Sequence, residues 1–289
     1  MEDFMAEKVA IITDTNSGIT NELADKLDIF ILPMPFIING VSYFEGLNFT
    51  KEQFYEEMRK DSDISTSQPS PGSVIELWEN VLKDYDTIVH IPMSSGLSSS
   101  CDVAKMLSDD FEGKVQVVDN KRISITQKQS VFDAIKLRDM GLSAVEIKNK
   151  LEETAYDASI YIAVDTLKYL KKGGRVTPAG AAIGSVLNLK PVLQIQGSKL
   201  DAFSKTRGMK MAEKKLIEAI KKDLTERFKD YDNMCVAVAY SGDESIGEYW
   251  KAKVQENFPD FDIDCDPLSL SVVCHTGEGA LGIGCYVKL

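Results

Sequence analysis

Long apolar runs, histidine and positive charge are what this 289-residue chain has little of. No stretch approaches the roughly 18 apolar residues that a membrane-spanning helix needs, and Met1–Lys8 lacks a signal-peptide pattern. A cytoplasmic protein with no integral membrane segment is therefore expected. Basic residues number 33 against 45 acidic ones, a formal charge of −12, which argues against a nucleic-acid partner. The two histidines, His90 and His275, lie far apart, and the five cysteines include no Cys-x-x-Cys. A His/Cys metal site is set aside on that ground, and buried, reduced thiols are expected. There is no G-x-x-x-x-G-K-[ST], so a P-loop is excluded, and no G-x-S-x-G, which weakens a hydrolase. Gly277-Glu-Gly-Ala-Leu-Gly282 matches G-x-G-x-x-G, but only seven residues follow and they read as a strand. A dinucleotide fingerprint needs a helix there, so no cofactor is expected.

The apolar share of 44% is ample for a sizeable core. Val9-Ala-Ile-Ile-Thr-Asp14, Thr87-Ile-Val-His-Ile91 and Val115-Gln-Val-Val-Asp119 read as buried strands, with amphipathic helices between them. Ile29–Ile38 reads as an edge or bulged strand because of Pro33 and Pro35. Asn39-Gly40 signals a hairpin, and Thr50-x-x-Gln53 and Ser143-x-x-Glu146 are capping boxes. This cadence predicts a parallel sheet with helices on both faces. From about residue 158 strands and helices follow a mixed order, so an α+β second half is expected, with helices at Leu167–Lys172, Met209–Phe228 and Ser245–Glu256. The small-residue run Thr177–Ser185, with Gly180 and Gly184, predicts a close approach by a helix or by an apolar ligand.

The residues that could carry chemistry are hydroxyls in two loops, Asp61–Gly72 and Met93–Ser98, together with His275 before a Gly-rich turn. Read blandly, the first loop is a linker with nothing to bury and Ser98 caps a helix. Set together, hydroxyls and an imidazole could hold a carboxylate, or form part of a nucleophilic triad.

Four segments in order carry a resemblance: Ile64-Ser-Thr-Ser-Gln-Pro-Ser-Pro71, Met93-Ser-Ser-Gly-Leu-Ser98, Leu167-Lys-Tyr-Leu-Lys-Lys-Gly-Gly-Arg175 and His275-Thr-Gly-Glu-Gly-Ala280. Over nearly its whole length the chain resembles the DegV family, which includes the fatty-acid-binding subunit of bacterial fatty acid kinase. The resemblance implies a Rossmann-like parallel-sheet α/β/α domain over 1–157 and a mixed-sheet α+β domain over 158–289, with one long-chain fatty acid between them. It implies that Thr66, Ser95 and His275 hold the carboxylate, supported by Arg175, Ser94, Ser98, Thr276 and Gly277. A separate ATP-dependent kinase would phosphorylate that carboxylate for phospholipid synthesis, docking near Lys205 and Arg207, so the chain itself would be a carrier and not an enzyme. Two departures from the family pattern bear on the head-group site. Ser98-Ser99-Ser100 stands in place of Ser-Gly-Thr, and Glu278 in place of Pro adds negative charge near the expected anion.

Physical chemistry favours a lipid. Burial of an acyl tail of about sixteen carbons contributes ~0.8 kcal/mol per methylene, roughly 10 kcal/mol gross. The carboxylate can follow the tail inside only if it is hydrogen-bonded. The competing expectations are a serine-dependent esterase or thioesterase using Ser95 and His275, and a lipid sensor with no enzymatic partner.

Overall fold

Six successive buried residues, Val9–Asp14, form the strand from which the first half is built, since a parallel strand covered on both faces needs no polar side. The structure, a computed structural model, describes residues 7–182, 189–196 and 199–289. The first half runs β1 (Val9–Asp14), α1 (Asn21–Leu27), β2 (Phe30–Leu32), β3 (Pro35–Ile38), β4 (Val41–Phe44), α2 (Lys51–Arg59), β5 (Ile64–Thr66) and α3 (Pro71–Val81). It continues through β6 (Thr87–Ile91), α4 (Ser100–Ser108), β7 (Val115–Val117), α5 (Ile125–Asp139) and α6 (Ala144–Glu153). The second half runs β8 (Ala158–Ala163), α7 (Lys168–Gly173), α8 (Pro178–Ala182), β9 (Leu189–Ile195), β10 (Asp201–Arg207) and α9 (Met209–Lys222). It ends with β11 (Met234–Tyr240), α10 (Glu244–Asn257), β12 (Asp264–Pro267), α11 (Leu270–Thr276) and β13 (Leu281–Val287).

The protein is a mixed α/β fold with a parallel-sheet half and a mixed-sheet half. The parallel sheet has the order β2-β1-β6-β7, and the six-stranded mixed sheet the order β10-β9-β8-β13-β11-β12. A third, antiparallel sheet has the order β4-β3-β5; its β3–β4 hairpin was expected, its pairing with β5 was not. The chain leaves the parallel sheet at Pro33, so the single interrupted strand expected over Ile29–Ile38 is two strands in different sheets. Asn39 and Gly40 take positive φ, 51° and 82°, and turn β3 into β4 as their sequence predicted. The supposed linker Asp61–Gly72 contains β5, whose Ile64 is buried and whose Thr66 stands opposite Phe36 of β3. Its anchor is that one apolar side chain. Both expected capping boxes form.

Two helix ends differ from the expectation. The helix after β6 begins at Ser100, with Ser98 one step before its cap; the Ser98 hydroxyl accepts from Ser100 N at 3.2 Å. The long helix expected over Met209–Phe228 is α-helical only to Lys222 and then widens into one π turn, Asp223–Arg227. The close approach at Gly180 comes from Val176, whose Cγ2 would lie 2.5 Å from an added Cβ, and from β10; the small residues 183–185 lie outside the described residues, as does the turn at 197–198.

One face of the mixed sheet packs under α9 and α10. Its other face turns to the first half, in an apolar cluster that joins Ile162, Leu193 and Ile195 to Phe36, Phe54 and Ile64. The halves are also tied by Lys128, which donates to both carboxylate oxygens of Asp266 at 2.8 and 2.9 Å. Among the described residues no helix is long and apolar enough to cross a membrane, and no group of His, Cys, Asp and Glu could hold a metal.

Candidate functional site

A cavity of about 200 Å³ opens between the two halves. Its floor is the face of the mixed sheet left clear by strand alternation. Ile160 and Ile162 of β8 and Ile195 of β9 point into it, while Tyr161 and Ala163 point to the opposite core. The middle of the floor is nearly bare. Gly282 of β13 stands opposite Ala239 of β11 and Ile162 of β8, and both Gly282 and Ala239 line the cavity. Two adjacent strands thus present a hydrogen and a methyl group where larger side chains would fill the space. Ile125, Leu200 and Leu268 supply further apolar wall.

The polar end is built from three elements. β5 delivers Thr66, α11 delivers His275, and the chain just past α7 delivers Arg175; all three line the cavity. Thr66 Oγ1 and His275 Nε2 are 3.0 Å apart. His275 lies on a helix that the sequence did not reveal, because Val272-Val273-Cys274 reads equally well as a strand. Glu45 fixes the start of that helix by accepting from Leu270 N at 2.8 Å. At its end Gly277, at φ 77°, lies against the ring of Tyr169, where a Cβ would come within 2.8 Å. Thr276 is buried and also lines the cavity.

The imidazole is neutral at neutral pH. Burial, and then the nearby Arg175 charge, lower its pKa to about 4. Its Nδ1 is buried with no hydrogen-bond partner among the described residues, so the proton is assigned to Nε2. Nε2–H then donates to Thr66 Oγ1, which leaves the threonine hydroxyl proton free for a ligand oxygen. The positive charge at this end belongs to Arg175. Its guanidinium donates to the carbonyls of Gly173 and, at 3.3 Å, Leu97, and it has no carboxylate partner among the described residues.

Gly173 explains how the ring fits. A Cβ there would lie 2.2 Å from His275 Nδ1. Gly173→Ala is therefore expected to push the ring off Thr66 and to cost about 1–3 kcal/mol through overpacking. Thermal unfolding and the imidazole nitrogen shifts by NMR check this; an unchanged melting temperature with unchanged shifts would contradict it.

The serines divide. Ser98 lines the cavity, whereas Ser94 and Ser95 do not. Ser94 is buried, and its hydroxyl accepts from Gly96 N at 3.2 Å. Ser95 Oγ accepts from Lys121 Nζ at 2.6 Å, and Ser95 N donates to Asp119 at 3.3 Å. Burial alone would raise the Asp119 pKa, but hydrogen bonds from Lys121 and Ser95 and the charge of Lys105 bring it down to about 2. Ser95 thus belongs to an ionic cluster at the rim. No hydrogen bond joins it to His275 among the described residues, so the nucleophile–base pair of an esterase is not assembled. Asp14, at the end of β1, holds this loop by accepting from Met93 N at 2.7 Å.

Glu278 is ion-paired. Its carboxylate is paired with the Arg59 guanidinium, whose Nε donates at 3.1 Å. Lys205 and Arg207 are exposed on one face of β10, the edge strand of the mixed sheet. The cavity-lining Asn16, Ser124 and Ser271, and the bare floor at Gly282, were not found from the sequence. The alternation Gly282-Ile-Gly284 is the available signal for the floor, and β13 starts before it, at Leu281.

The model of the DegV family, described as uncharacterised, matches residues 8–288. The DegV domain-containing protein lmo2514 of Listeria monocytogenes is 31% identical over 289 residues, covering 98% of this chain and all of that protein. Among solved structures, DegV from Bacillus subtilis, described as a fatty acid binding protein, superposes with a TM-score of 0.86 at 28% identity, covering 98% of this chain and 100% of the other. The fatty acid binding DegV family protein SAG1342 from Streptococcus agalactiae superposes with a TM-score of 0.87 at 27% identity, with the same coverage. Given a family match across almost its whole length, this chain belongs to the DegV family.

Proposed function

We propose that the protein binds a long-chain fatty acid between its two domains, residues 1–157 and 158–289, and presents the carboxylate to a separate ATP-dependent kinase. The observation that carries this reading is an apolar slot with, at one end, the hydrogen-bonded pair Thr66 and His275, beside an arginine with no carboxylate partner among the described residues. A tail in the slot supplies most of the binding energy, and the donors make burial of the carboxylate tolerable. Thr66 gives its free hydroxyl proton, Arg175 balances the charge, and Ser98 stands within the same lining. Ser95, held by Lys121, takes the outer position towards the arriving phosphoryl group. The exposed cations Lys205 and Arg207 are the proposed contact for the kinase, on a chain that is otherwise acidic. Fatty acid binding by relatives of similar fold supports the ligand class.

The direct test is native mass spectrometry of protein expressed in bacteria, followed by extraction of the denatured sample. Near-stoichiometric fatty acid is expected. Protein that folds normally and carries no fatty acid would overturn the reading. A second measurement, hydrolysis of a chromogenic ester, is expected to give no turnover.

A further inference from the structure

The wall of the slot is not uniformly apolar. Asn16, Ser124 and Ser271 come from three separate segments, after β1, before α5 and within α11, and all three line the cavity. Ser271 and His275 are four residues apart on one helix, so Ser271 stands about one turn, roughly 6 Å, from His275 along the wall. Asn16 is only 2% exposed and Ser271 only 7%. The Asn16 carbonyl oxygen accepts from Ser271 Oγ at 2.5 Å and from Ser269 Oγ at 2.9 Å. Its amide nitrogen donates to the thioether of Met93 at 2.9 Å, and its side chain also bonds the buried Asp14 carboxylate.

Ser124 is the least expected member. Its N–H donates to the backbone carbonyl of Asn16 at 3.0 Å, and its own backbone lies at φ 55° and ψ −133°, a conformation that suits glycine. Its hydroxyl does not cap α5. Ser124 thus lines the cavity on a backbone that glycine would adopt without strain, with a hydroxyl that the helix cap does not use.

We propose that this patch is a second polar station, which receives a hydroxyl group carried by the acyl chain, so that the ligand class is a hydroxylated fatty acid. The inference rests on the reading that the slot holds a fatty acid with its carboxylate at Thr66. One helical turn corresponds to roughly four carbons of an extended chain, which places the substituent on about the third to fifth carbon. In a slot that was apolar throughout, a chain hydroxyl would lose its water partners and gain none, and binding would weaken. Here Ser124 can donate to it or accept from it, and Ser271 can accept.

Delipidated protein titrated with hexadecanoic, 3-hydroxyhexadecanoic and 5-hydroxyhexadecanoic acids tests the inference. Wild-type protein should bind at least one hydroxy acid threefold or more tighter than hexadecanoic acid. Ser124→Gly combined with Ser271→Ala should reverse that order, favouring the plain acid by about tenfold. These two changes spare Asn16, whose loss would loosen the contact between the halves. Wild-type preference for hexadecanoic acid over both hydroxy acids overturns the inference without using any variant. So does a preference for a hydroxy acid that the double variant leaves unchanged. Either result leaves the fatty-acid reading standing. Failure of all three acids to bind removes that reading, and this inference with it.

Discussion

Gly282→Leu is expected to yield folded protein that has lost its lipid. Residue 282 lies on the cavity face of β13, paired with Ala239 on one side and Ile162 on the other. Its backbone does not require glycine: its φ is not in the positive range, and an added Cβ would meet Ala239 at 3.5 Å, an ordinary contact. The rest of a leucine side chain has only the cavity to enter. Displacing about five methylenes of a ligand forfeits roughly 4 kcal/mol, or about a thousandfold in affinity. Bound fatty acid on purification should fall below about a tenth of wild type, while Gly282→Ala should retain most of it. The delipidated leucine variant should melt no lower than delipidated wild type, because the new side chain fills space and displaces no protein atom. Native mass spectrometry with calorimetry on the same samples decides the matter. A folded leucine variant with stoichiometric lipid would mean that the tail runs elsewhere.

That position also shows what the sequence could and could not disclose. The parallel half was legible because its strands are continuous apolar runs and its helices start on recognisable caps, such as Thr50 with Gln53. β5 was not, because three residues carry no periodicity and only Ile64 among them is apolar. Its pairing with β3 is a contact between segments about thirty residues apart, which no local pattern records. α11 was hidden for the opposite reason: its β-branched residues favour a strand locally, and a distant carboxylate, Glu45, supplies the missing cap. The partner of one charge was also hidden. Glu278 reads from the sequence as an added negative charge near the expected anion, and Arg59, 219 residues away, takes its carboxylate. Among the site residues, Thr66, Arg175, Ser98 and His275 do converge on one cavity, whereas the Ser95 hydroxyl is drawn off by Lys121. Residue types pointed to the polar end of that cavity. The floor, made of what is missing at Gly282, appears only when the strands are laid side by side.

Thr66→Val should separate holding the ligand from presenting it. The substitution keeps the β-branched shape that suits β5 and removes one hydroxyl. The ligand then loses a hydrogen bond contributing about 1–3 kcal/mol, against roughly 10 kcal/mol gross from the tail. Purified Thr66→Val protein should therefore still carry most of its lipid. Presentation is far more demanding. On the proposed reading a carboxylate oxygen attacks the terminal phosphorus of ATP, a new C–O–P linkage forms, the bond to the bridging oxygen breaks, and ADP departs. An oxygen displaced by about an ångström from that line can cost about a hundredfold in rate. Valine also strips His275 Nε2–H of its acceptor, so the imidazole is left to reorient and no longer feeds a threonine. Acyl-phosphate formation with kinase and ATP supplied should fall by at least about a hundredfold. Ser95→Ala should fall by less, since its hydroxyl is engaged by Lys121 and does not line the cavity. Lipid occupancy and phosphorylation rate measured on one preparation give the comparison. A wild-type rate in Thr66→Val would remove the threonine from the head-group site, and a larger loss in Ser95→Ala would place the rim cluster in direct contact with the reacting group.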